Sequence, residues 1–163
     1  MMSESRHEVR PRSFELFYRH ERDRLVRILS LSLGDPAVSA EAVDEAMARA
    51  YARWRRVGSY ASPQGWVYRV ALNWARSNAR KTRRERLGAV AEQLLSDPEP
   101  DDPRLLDRIG RLPGHQRSVV VLRYYADWSI DEIAAALQVR PGTVKSRLHR
   151  ALAELRAFVE VEP

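Results

Sequence analysis

The sequence predicts an all-α fold in two small helical lobes that are joined by a flexible acidic linker. Apolar residues recur three and four positions apart through most of the chain, which is the spacing of helices with one buried face. Between residues 96 and 103 the run SDPEPDDP holds three prolines and four carboxylates, so neither a helix nor a central strand can pass through it. The 163 residues are enough for two small domains, and this break favours two.

On this pattern we divide the chain into five segments. They are a disordered tail at 1–12, a first lobe at 13–87, the linker at 88–104, a second lobe at 105–158 and a short tail at 159–163.

Three helices are predicted in the first lobe. The first is marked by Phe14, Phe17, Leu25, Ile28 and Leu29, and it should stop near Gly34, Asp35 and Pro36. The second runs from about Val38 to Arg56, and the residues expected on its buried face are Val43, Ala46, Met47, Ala50, Tyr51 and Trp54. In the third, Ser62 should cap the helix and Pro63 should take its first position. The side chains expected to point inward there are Trp66, Val70, Ala71 and Trp74.

The third helix also carries a polar stripe, which we expect opposite the tryptophans. Its members, spaced four, three and four apart, are Arg69, Asn73, Arg76 and Arg80. Such a stripe can follow a phosphate backbone. The RRER cluster at 83–86 either continues along DNA or favours the negative end of the helix dipole.

In the second lobe, a helix is expected to begin with Leu105, Leu106 and Ile109 and to end at 112–114, and another should follow from Val119 to Tyr125. The VVVL run at 119–122 could form a strand. Its helical neighbours and the lack of any partner strand favour a helix instead.

Residues 129–155, SIDEIAAALQVRPGTVKSRLHRALAEL, are predicted to form a helix-turn-helix. Ser129 and Glu132 fit a capping box, and the apolar residues expected to be buried after it are Ile130, Ile133, Ala134 and Leu137. Pro141 should begin the second helix, with a buried face of Val144, Leu148, Ala151 or Leu152, and Leu155. Gln138 takes the turn position usually held by glycine, so it must adopt a positive φ.

The opposite face of this second helix presents short hydroxyls and long cations. They are Thr143, Lys145, Ser146, Arg147, His149 and Arg150. These groups suit base edges and phosphates in a major groove. The alternative is an ordinary helical hairpin with a solvated basic face.

Composition limits the classes of function. An excess of six positive charges favours an anionic partner such as nucleic acid or a membrane surface. No window approaches the ~20 apolar residues of a membrane span, and residues 1–12 lack the apolar core of a signal peptide, so we expect a cytoplasmic protein with no membrane partner. The chain has no cysteine, and its four histidines show no ligand spacing, so we expect no metal and no other cofactor.

The segment LPGHQRSVVVLRYYADWSIDEIAAALQVRPGTVKSRLHRALAELR, at 112–156, closely resembles region 4 of the bacterial extracytoplasmic-function (ECF) sigma factors. These are the small two-domain members of the sigma-70 family of RNA polymerase. SAEAVDEAMARAYARW (39–54) and SPQGWVYRVALNWARSNARK (62–81) are similar to region 2 of that family. The RYY and WARSNARK segments resemble the actinobacterial, SigE-like type.

The resemblance implies roles for both lobes. Region 2 would bind the clamp helices of the polymerase largest subunit through Glu41, Asp44, Glu45 and Arg49, where the family pattern usually has leucine at Ala42 and glutamine at Asp44. The third helix and its preceding loop would contact the minus-ten element during strand separation through Tyr60, Ser62, Trp66, Arg69, Asn73, Arg76 and Arg80. Unpaired bases stack on aromatic rings, so Tyr60, Trp66 and Tyr68 would be candidates for such contacts where helical burial allows. The helix-turn-helix would read the minus-thirty-five element, and the flap region of the polymerase would be a further contact of the chain.

The resemblance also allows an anti-sigma factor as a partner. It places the linker where the family's connector passes through polymerase channels used by RNA. There its carboxylates would either mimic a nucleic-acid backbone or simply be solvated.

We therefore expect a sigma factor that binds core RNA polymerase and promoter DNA and has no catalytic residues. The alternative is an autonomous helix-turn-helix repressor or activator of duplex DNA, with the first lobe serving dimerisation. An enzyme acting on nucleic acid would need carboxylates clustered for metal ions or a Ser/His/Asp arrangement. The acids that cluster here lie in the linker.

Overall fold

The computed structural model describes residues 13–85 and 103–160, with side chains described up to residue 78 in the first segment and up to residue 157 in the second. Within these two segments all regular structure is helical, which confirms the predicted all-α class. The predicted tail at 1–12, most of the predicted linker and the side chains of the RRER cluster lie outside the described residues.

Eight α-helices form the described part of the chain. Those of the first lobe are α1 (Phe14–Leu33), α2 (Pro36–Ala52), α3 (Trp54–Val57) and α4 (Pro63–Glu85). Those of the second lobe are α5 (Pro103–Arg111), α6 (Gly114–Val120), α7 (Ile130–Leu137) and α8 (Pro141–Glu160). A π-helical turn, Val121–Tyr125, continues α6.

The boundary between α1 and α2 follows from local chemistry. Gly34 ends α1 at φ +71°, a conformation that costs glycine little, and its N–H donates to the Ser30 carbonyl at 2.7 Å. Asp35 then caps α2, since its carboxylate accepts from the Val38 N–H at 3.1 Å, and Pro36 takes the first helical position. The predicted stop at these residues is confirmed.

The buried face of α2 is largely as predicted. Val43, Ala46, Met47 and Ala50 are at most 2% exposed. The prediction for Tyr51 is wrong, because 69% of this residue is exposed. α2 ends at Ala52, and Trp54 begins the separate helix α3. Tyr51 and Trp54 therefore do not lie on one continuous helix face. Tyr51 instead places its ring against the edge of Phe14, with centroids 5.1 Å apart.

The buried face of α4 lies one residue further along the helix than the sequence analysis placed it. Its buried hydrophobic residues are Val67, Tyr68, Ala71, Leu72 and Ala75. Ala71 was predicted correctly, whereas Trp66, Val70 and Trp74 are only partly buried and pack at the edge of the core. The small side chains of Ala71 and Ala75 accompany close packing of α4 against α2.

In the second lobe the VVVL run is helical and buried, as predicted, with each residue from Val119 to Leu122 at most 2% exposed. The π-helical turn was not predicted. It is closed by the Ala126 N–H, which donates to the Val121 carbonyl at 3.1 Å, five residues back. Asp127 follows in a left-handed conformation at φ +57°. This turn directs the chain out of α6 towards the first lobe.

The two lobes are in contact in this structure. α4 packs against α7, while α1 packs against both α6 and the π-helical turn.

Candidate nucleic-acid interface

The helix-turn-helix of the second lobe is built from local signals that the sequence contains. The Ser129 hydroxyl oxygen accepts from the Glu132 N–H at 3.1 Å at the start of α7. Gln138 caps the C-terminus of α7 with φ +55° and ψ +44°. This confirms that Gln138 adopts the positive φ expected at a turn position usually held by glycine. The Val139 N–H then donates to the Ala134 carbonyl at 3.0 Å and closes the turn before Pro141 begins α8.

The core of this unit matches the prediction at its centre. Ile133 and Ala134 of α7 are buried, as are Val144, Leu148 and Ala151 of α8. Of the two residues left open at the third buried position of α8, Ala151 is buried and Leu152 is half-buried. Ile130, Leu137 and Leu155 are half-buried as well. Ala136 is also buried, at 3% exposure, although the helix-turn-helix pattern does not require it.

All six residues predicted to face DNA from α8 lie off its buried face. The exposed ones are Lys145, Ser146, His149 and Arg150, and the half-buried ones are Thr143 and Arg147. The Ser146 hydroxyl donates to the Gly142 carbonyl at 3.0 Å, so its oxygen is available to accept a further hydrogen bond. This surface combines acceptors with cations, as base and phosphate contacts need.

The polar stripe of α4 is also largely accessible. Asn73 and Arg76 are exposed and Arg69 is half-buried, on the side of the helix away from Val67 and Ala71. Arg80 is part of α4, but its side chain lies outside the described part of the chain. The tryptophans flank this stripe and do not oppose it as predicted, because the buried face has the shifted register given above.

The loop before α4 places two further predicted residues at the start of this stripe. Tyr60 is 36% exposed, and Ser62 is half-buried. The Ser62 hydroxyl oxygen accepts from the Gly65 N–H at 3.1 Å, which confirms Ser62 as the cap of α4. Trp66, which lines a cleft with these two residues, is partly buried, so part of this residue remains accessible.

Tyr68 was a stacking candidate only where helical burial allowed, and in this structure it is buried. The residue is 1% exposed, and its hydroxyl donates to the Ser32 Oγ at 3.1 Å. Burial raises the pKa of the Tyr68 phenol above its ordinary value, while hydrogen bonds with the Ser32 and Ser118 side chains oppose the shift. The side chain belongs to the packed interior between the two lobes.

The predicted polymerase-binding residues lie along one side of α2. Glu41, Asp44 and Arg49 are exposed and Glu45 is half-buried. Sequence reasoning missed that two of the carboxylates already have partners. The Arg22 guanidinium donates to both carboxylate oxygens of Asp44, each at 3.0 Å, and Arg49 Nε donates to Glu45 at 3.1 Å.

The Arg22 pair is bidentate, which fixes the orientation of the Asp44 carboxylate. The hydrogen bond to Asp44 raises the pKa of Arg22 above its ordinary value, so the pair stays charged. Arg22 lies on α1, 22 positions away in the chain, and no local pattern in the sequence predicts this partner.

The described residues hold neither a candidate metal site nor a helix that could span a membrane. Residues 13–85 and 103–160 contain no group of three or more histidine or acidic residues arranged to hold a metal ion. Across those same ranges, no helix has the length and apolar character needed to cross a membrane.

Comparison with protein families decides the identity of both lobes. Residues 17–85 match Sigma-70 region 2, and residues 103–155 match Sigma-70, region 4. The chain is 34% identical to the RNA polymerase sigma-E factor of Streptomyces coelicolor over 148 residues, covering 88% of this chain and 84% of the relative. The chain belongs to the ECF sigma factors of the sigma-70 family.

Other relatives agree with this assignment. The ECF RNA polymerase sigma factor SigL of Mycobacterium tuberculosis is 34% identical over 138 residues, covering 78% of this chain and 77% of the relative. Among solved structures, the sigma factor RpoE of Bartonella quintana in complex with the anti-sigma factor NepR has a TM-score of 0.72 at 21% identity, covering 92% and 98% of the two chains. CnrH in complex with the cytosolic domain of CnrY gives 0.62 at 22% identity, covering 92% and 89%. These structures share the sigma-factor fold.

Proposed function

We propose that this sigma factor reads two promoter elements with two different helix faces, α8 on duplex DNA and α4 on DNA whose strands separate. The observation that supports this division is the pair of accessible polar helix faces described above. They lie on separate lobes, and each lies within a segment that matches a sigma-70 region.

On α8, we assign the minus-thirty-five contacts to Lys145, Ser146 and Arg150. Thr143, Arg147 and His149 flank them. Arginine and lysine donate to guanine edges and to phosphates, while a serine hydroxyl both donates and accepts. The position of this face opposite Val144 and Leu148 lets the helix enter a major groove while its apolar side stays on the lobe.

On α4, we assign the minus-ten contacts to the polar stripe and to the loop before it. Asn73 is the residue expected to read a base, because its amide both donates and accepts. Arg69, Arg76 and Arg80 would contact phosphates. The loop residues Tyr60 and Ser62, together with Trp66, would hold an unpaired base by stacking and hydrogen bonding.

We place the polymerase contact on α2, through Glu41, Asp44, Glu45 and Arg49, facing the clamp helices, with a second contact from the second lobe to the flap region. An anti-sigma factor is a further partner class, since two structural neighbours are complexes of a sigma factor with its regulator. The division at 13–87, 88–104 and 105–158 is part of the same proposal. The linker would follow the polymerase channels between the two contacts.

The chain supplies no catalytic group in this account. Phosphodiester chemistry belongs to the polymerase, and the sigma factor positions DNA and exposes the template. Its place of action is the cytoplasm, where polymerase and DNA meet.

The test compares the free chain with the chain bound to core polymerase. Mapping of transcript start sites after overexpression identifies the promoter. The chain should then co-purify with core polymerase and support transcription from that promoter. The free chain should bind the promoter poorly, because in this proposal the polymerase sets the distance between the two DNA-reading lobes. Tight sequence-specific binding by the free chain at physiological salt, without polymerase-dependent transcription, would instead favour an autonomous repressor.

A further inference from the structure

The polymerase-binding surface proposed on α2 has a cationic neighbour on α1. Arg22 of α1 reaches across to Asp44 of α2, and its Nε and Nη2 atoms donate to the two carboxylate oxygens at 3.0 Å each. Two parallel bonds of this kind fix the planes of a guanidinium and a carboxylate relative to each other. Arg22 therefore holds a residue of the proposed surface from a different helix.

The guanidinium of Arg22 is itself fixed from a second direction. Its remaining nitrogen, Nη1, donates to the Asp23 carboxylate at 3.0 Å. The Arg22 side chain is 28% exposed, so it is sheltered compared with Asp23, at 81%. With a bond at each of its three nitrogens, the guanidinium cannot turn without breaking one of them.

The backbone on both sides of the pair is anchored in the core of the first lobe. α1 and α2 pack against each other. Arg22 lies one turn before Leu25, and Asp44 directly follows Val43, and both of these apolar residues are at most 1% exposed. The Asp44 carboxylate therefore has a fixed orientation on a helix that is itself held in place.

The pair leaves Asp44 able to bind a partner. A carboxylate accepts about four hydrogen bonds, and the two from Arg22 use only part of this capacity. The Asp44 side chain is 52% exposed, so a group on another protein can reach it. Asp44 can accept a hydrogen bond from such a group without losing Arg22.

Another ion pair on α1 shows what distinguishes Arg22. Arg19 bonds Glu15 at 2.8 Å, one turn away on the same helix, and both side chains are at least 69% exposed. An exposed pair of this kind is strongly solvated and contributes little energy. Arg19 is therefore a suitable comparison for Arg22, because it is the same residue type on the same helix but pairs within α1.

We propose that Arg22 is a positioning residue for the binding of core polymerase. It orients the Asp44 carboxylate, which makes the contact, so the binding machinery extends from α2 to α1. A mobile aspartate would have to be ordered when the polymerase binds, whereas Asp44 is ordered beforehand. This inference rests on the role of α2 proposed above.

A double-mutant cycle between Arg22 and Asp44 tests the inference. Each variant competes with fluorescently labelled parent chain for core polymerase. Arg22→Gln should weaken binding by about three- to tenfold, because ordering one side chain at an interface costs roughly that much affinity. Arg22→Lys should bind with intermediate affinity, since an ammonium keeps the charge but does not hold both oxygens in one plane. Arg19→Gln is the matched control and should bind as the parent does.

The second half of the cycle uses Asp44→Ala. This change should weaken binding at least as much as Arg22→Gln does. Adding Arg22→Gln to it should change the affinity by less than about twofold, because no carboxylate is left to orient.

A further measurement separates positioning from a loss of fold. Arg22→Gln should unfold at the same urea concentration as Arg19→Gln, and trimethylamine N-oxide, which stabilises folded chains, should not restore its affinity relative to the parent.

Three results would overturn the inference. They are parent-like binding by Arg22→Gln or by Asp44→Ala, an equal loss from Arg22→Gln with and without Asp44, and recovery of affinity in the osmolyte. A different result concerns the proposed function. If alanine variants of all four assigned residues bind core polymerase as the parent does, the role of α2 fails and the inference falls with it; these residues are Glu41, Asp44, Glu45 and Arg49.

Discussion

The two surfaces that we assign to DNA differ in what lies against them. On α8 the central residues Lys145, Ser146 and Arg150 are exposed to solvent. On α4 the loop and first turns share a cleft with α7. Among the assigned residues whose side chains the structure describes, Asn73 and Arg76 lie outside this cleft and are exposed. A surface that reads duplex DNA is polar and can stay in water at little cost. A surface that holds unpaired bases needs aromatic rings, and covering those rings when DNA is absent is favourable.

The largest expected effect is a loss of DNA affinity on changing the exposed face of α8. Arg150→Ala should weaken binding of the holoenzyme to the minus-thirty-five element by about 1–3 kcal/mol if the guanidinium makes a bidentate base contact. Quantitative footprinting on promoters with altered minus-thirty-five sequences measures both affinity and preference. Arg156→Ala, an exposed arginine further along α8, is the matched control and should bind as the parent does.

Unchanged binding and unchanged sequence preference in the alanine variants of Lys145, Ser146 and Arg150 would contradict the assignment of α8. The face would then be a solvated basic surface of a helical hairpin.

The next largest effect is a loss of stability on changing Tyr68, a buried residue of α4. Tyr68→Phe keeps the ring against Trp128 but removes a buried hydroxyl that bonds with Ser32 and Ser118, and should lower the free energy of unfolding by about 1–2 kcal/mol. Urea titration measures it. Tyr124→Phe, at a residue that is 59% exposed, should change stability by less than about 0.5 kcal/mol. Equal losses in the two variants would show that the hydroxyl between the lobes has no special role.

A smaller effect is expected from single phosphate contacts on α4. Arg76→Ala should weaken holoenzyme binding to a similar extent on related promoters and should reduce the slope of log affinity against log salt by about 1. Asn73→Ala should instead change the preference among minus-ten variants. A salt titration on two promoters that differ only in the minus-ten element separates these outcomes, and a promoter-specific loss for Arg76→Ala would contradict its assignment to a phosphate.

The smallest expected effect is a loss of folding stability at alkaline pH. Burial raises the pKa of Tyr68 above that of the unfolded chain, which is near 10, so this residue's contribution to stability is complete below about pH 10 and is lost as the pH rises further. The parent should therefore lose more stability than Tyr68→Phe above pH 10 in parallel urea titrations. Parallel alkaline curves for the two proteins would contradict the buried position of the phenol.

Local chemistry made much of this molecule predictable. Ser62, Ser129 and Gln138 were assigned correctly because caps and tight turns depend on one residue and its near neighbours. The face of α8 was predictable too, since Val144 and Leu148 are aliphatic and regularly spaced. The π-helical turn had no such signal in the sequence. It differs from an α-helix by one extra residue in the turn, and within an apolar run that residue looks like its neighbours.

The errors share another physical cause. Tyr51 and the tryptophans of α4 were assigned to the core by their spacing along the helix. Burial also depends on which neighbouring helix approaches, and small alanines let α2 and α4 pack on an adjacent part of the helix surface. The Arg22–Asp44 pair, Tyr68–Trp128 and the buried Ala136 all depend on contacts between distant segments. Such contacts become visible only when the helices are assembled.

The most direct test of the central claim is a permanganate footprint of the holoenzyme, which reports unpaired thymines. Three holoenzymes are compared on a duplex promoter: the parent, the Arg150→Ala variant and an α4 variant that combines Asn73→Ala with Arg76→Ala. A promoter with a pre-opened bubble is the reference for full opening. The account predicts that Arg150→Ala lowers occupancy but opens the DNA normally once bound, whereas the α4 variant occupies the duplex promoter and opens it poorly. An α4 variant that melts the duplex promoter as well as the parent does would contradict the account, because α4 would then not be the strand-reading helix.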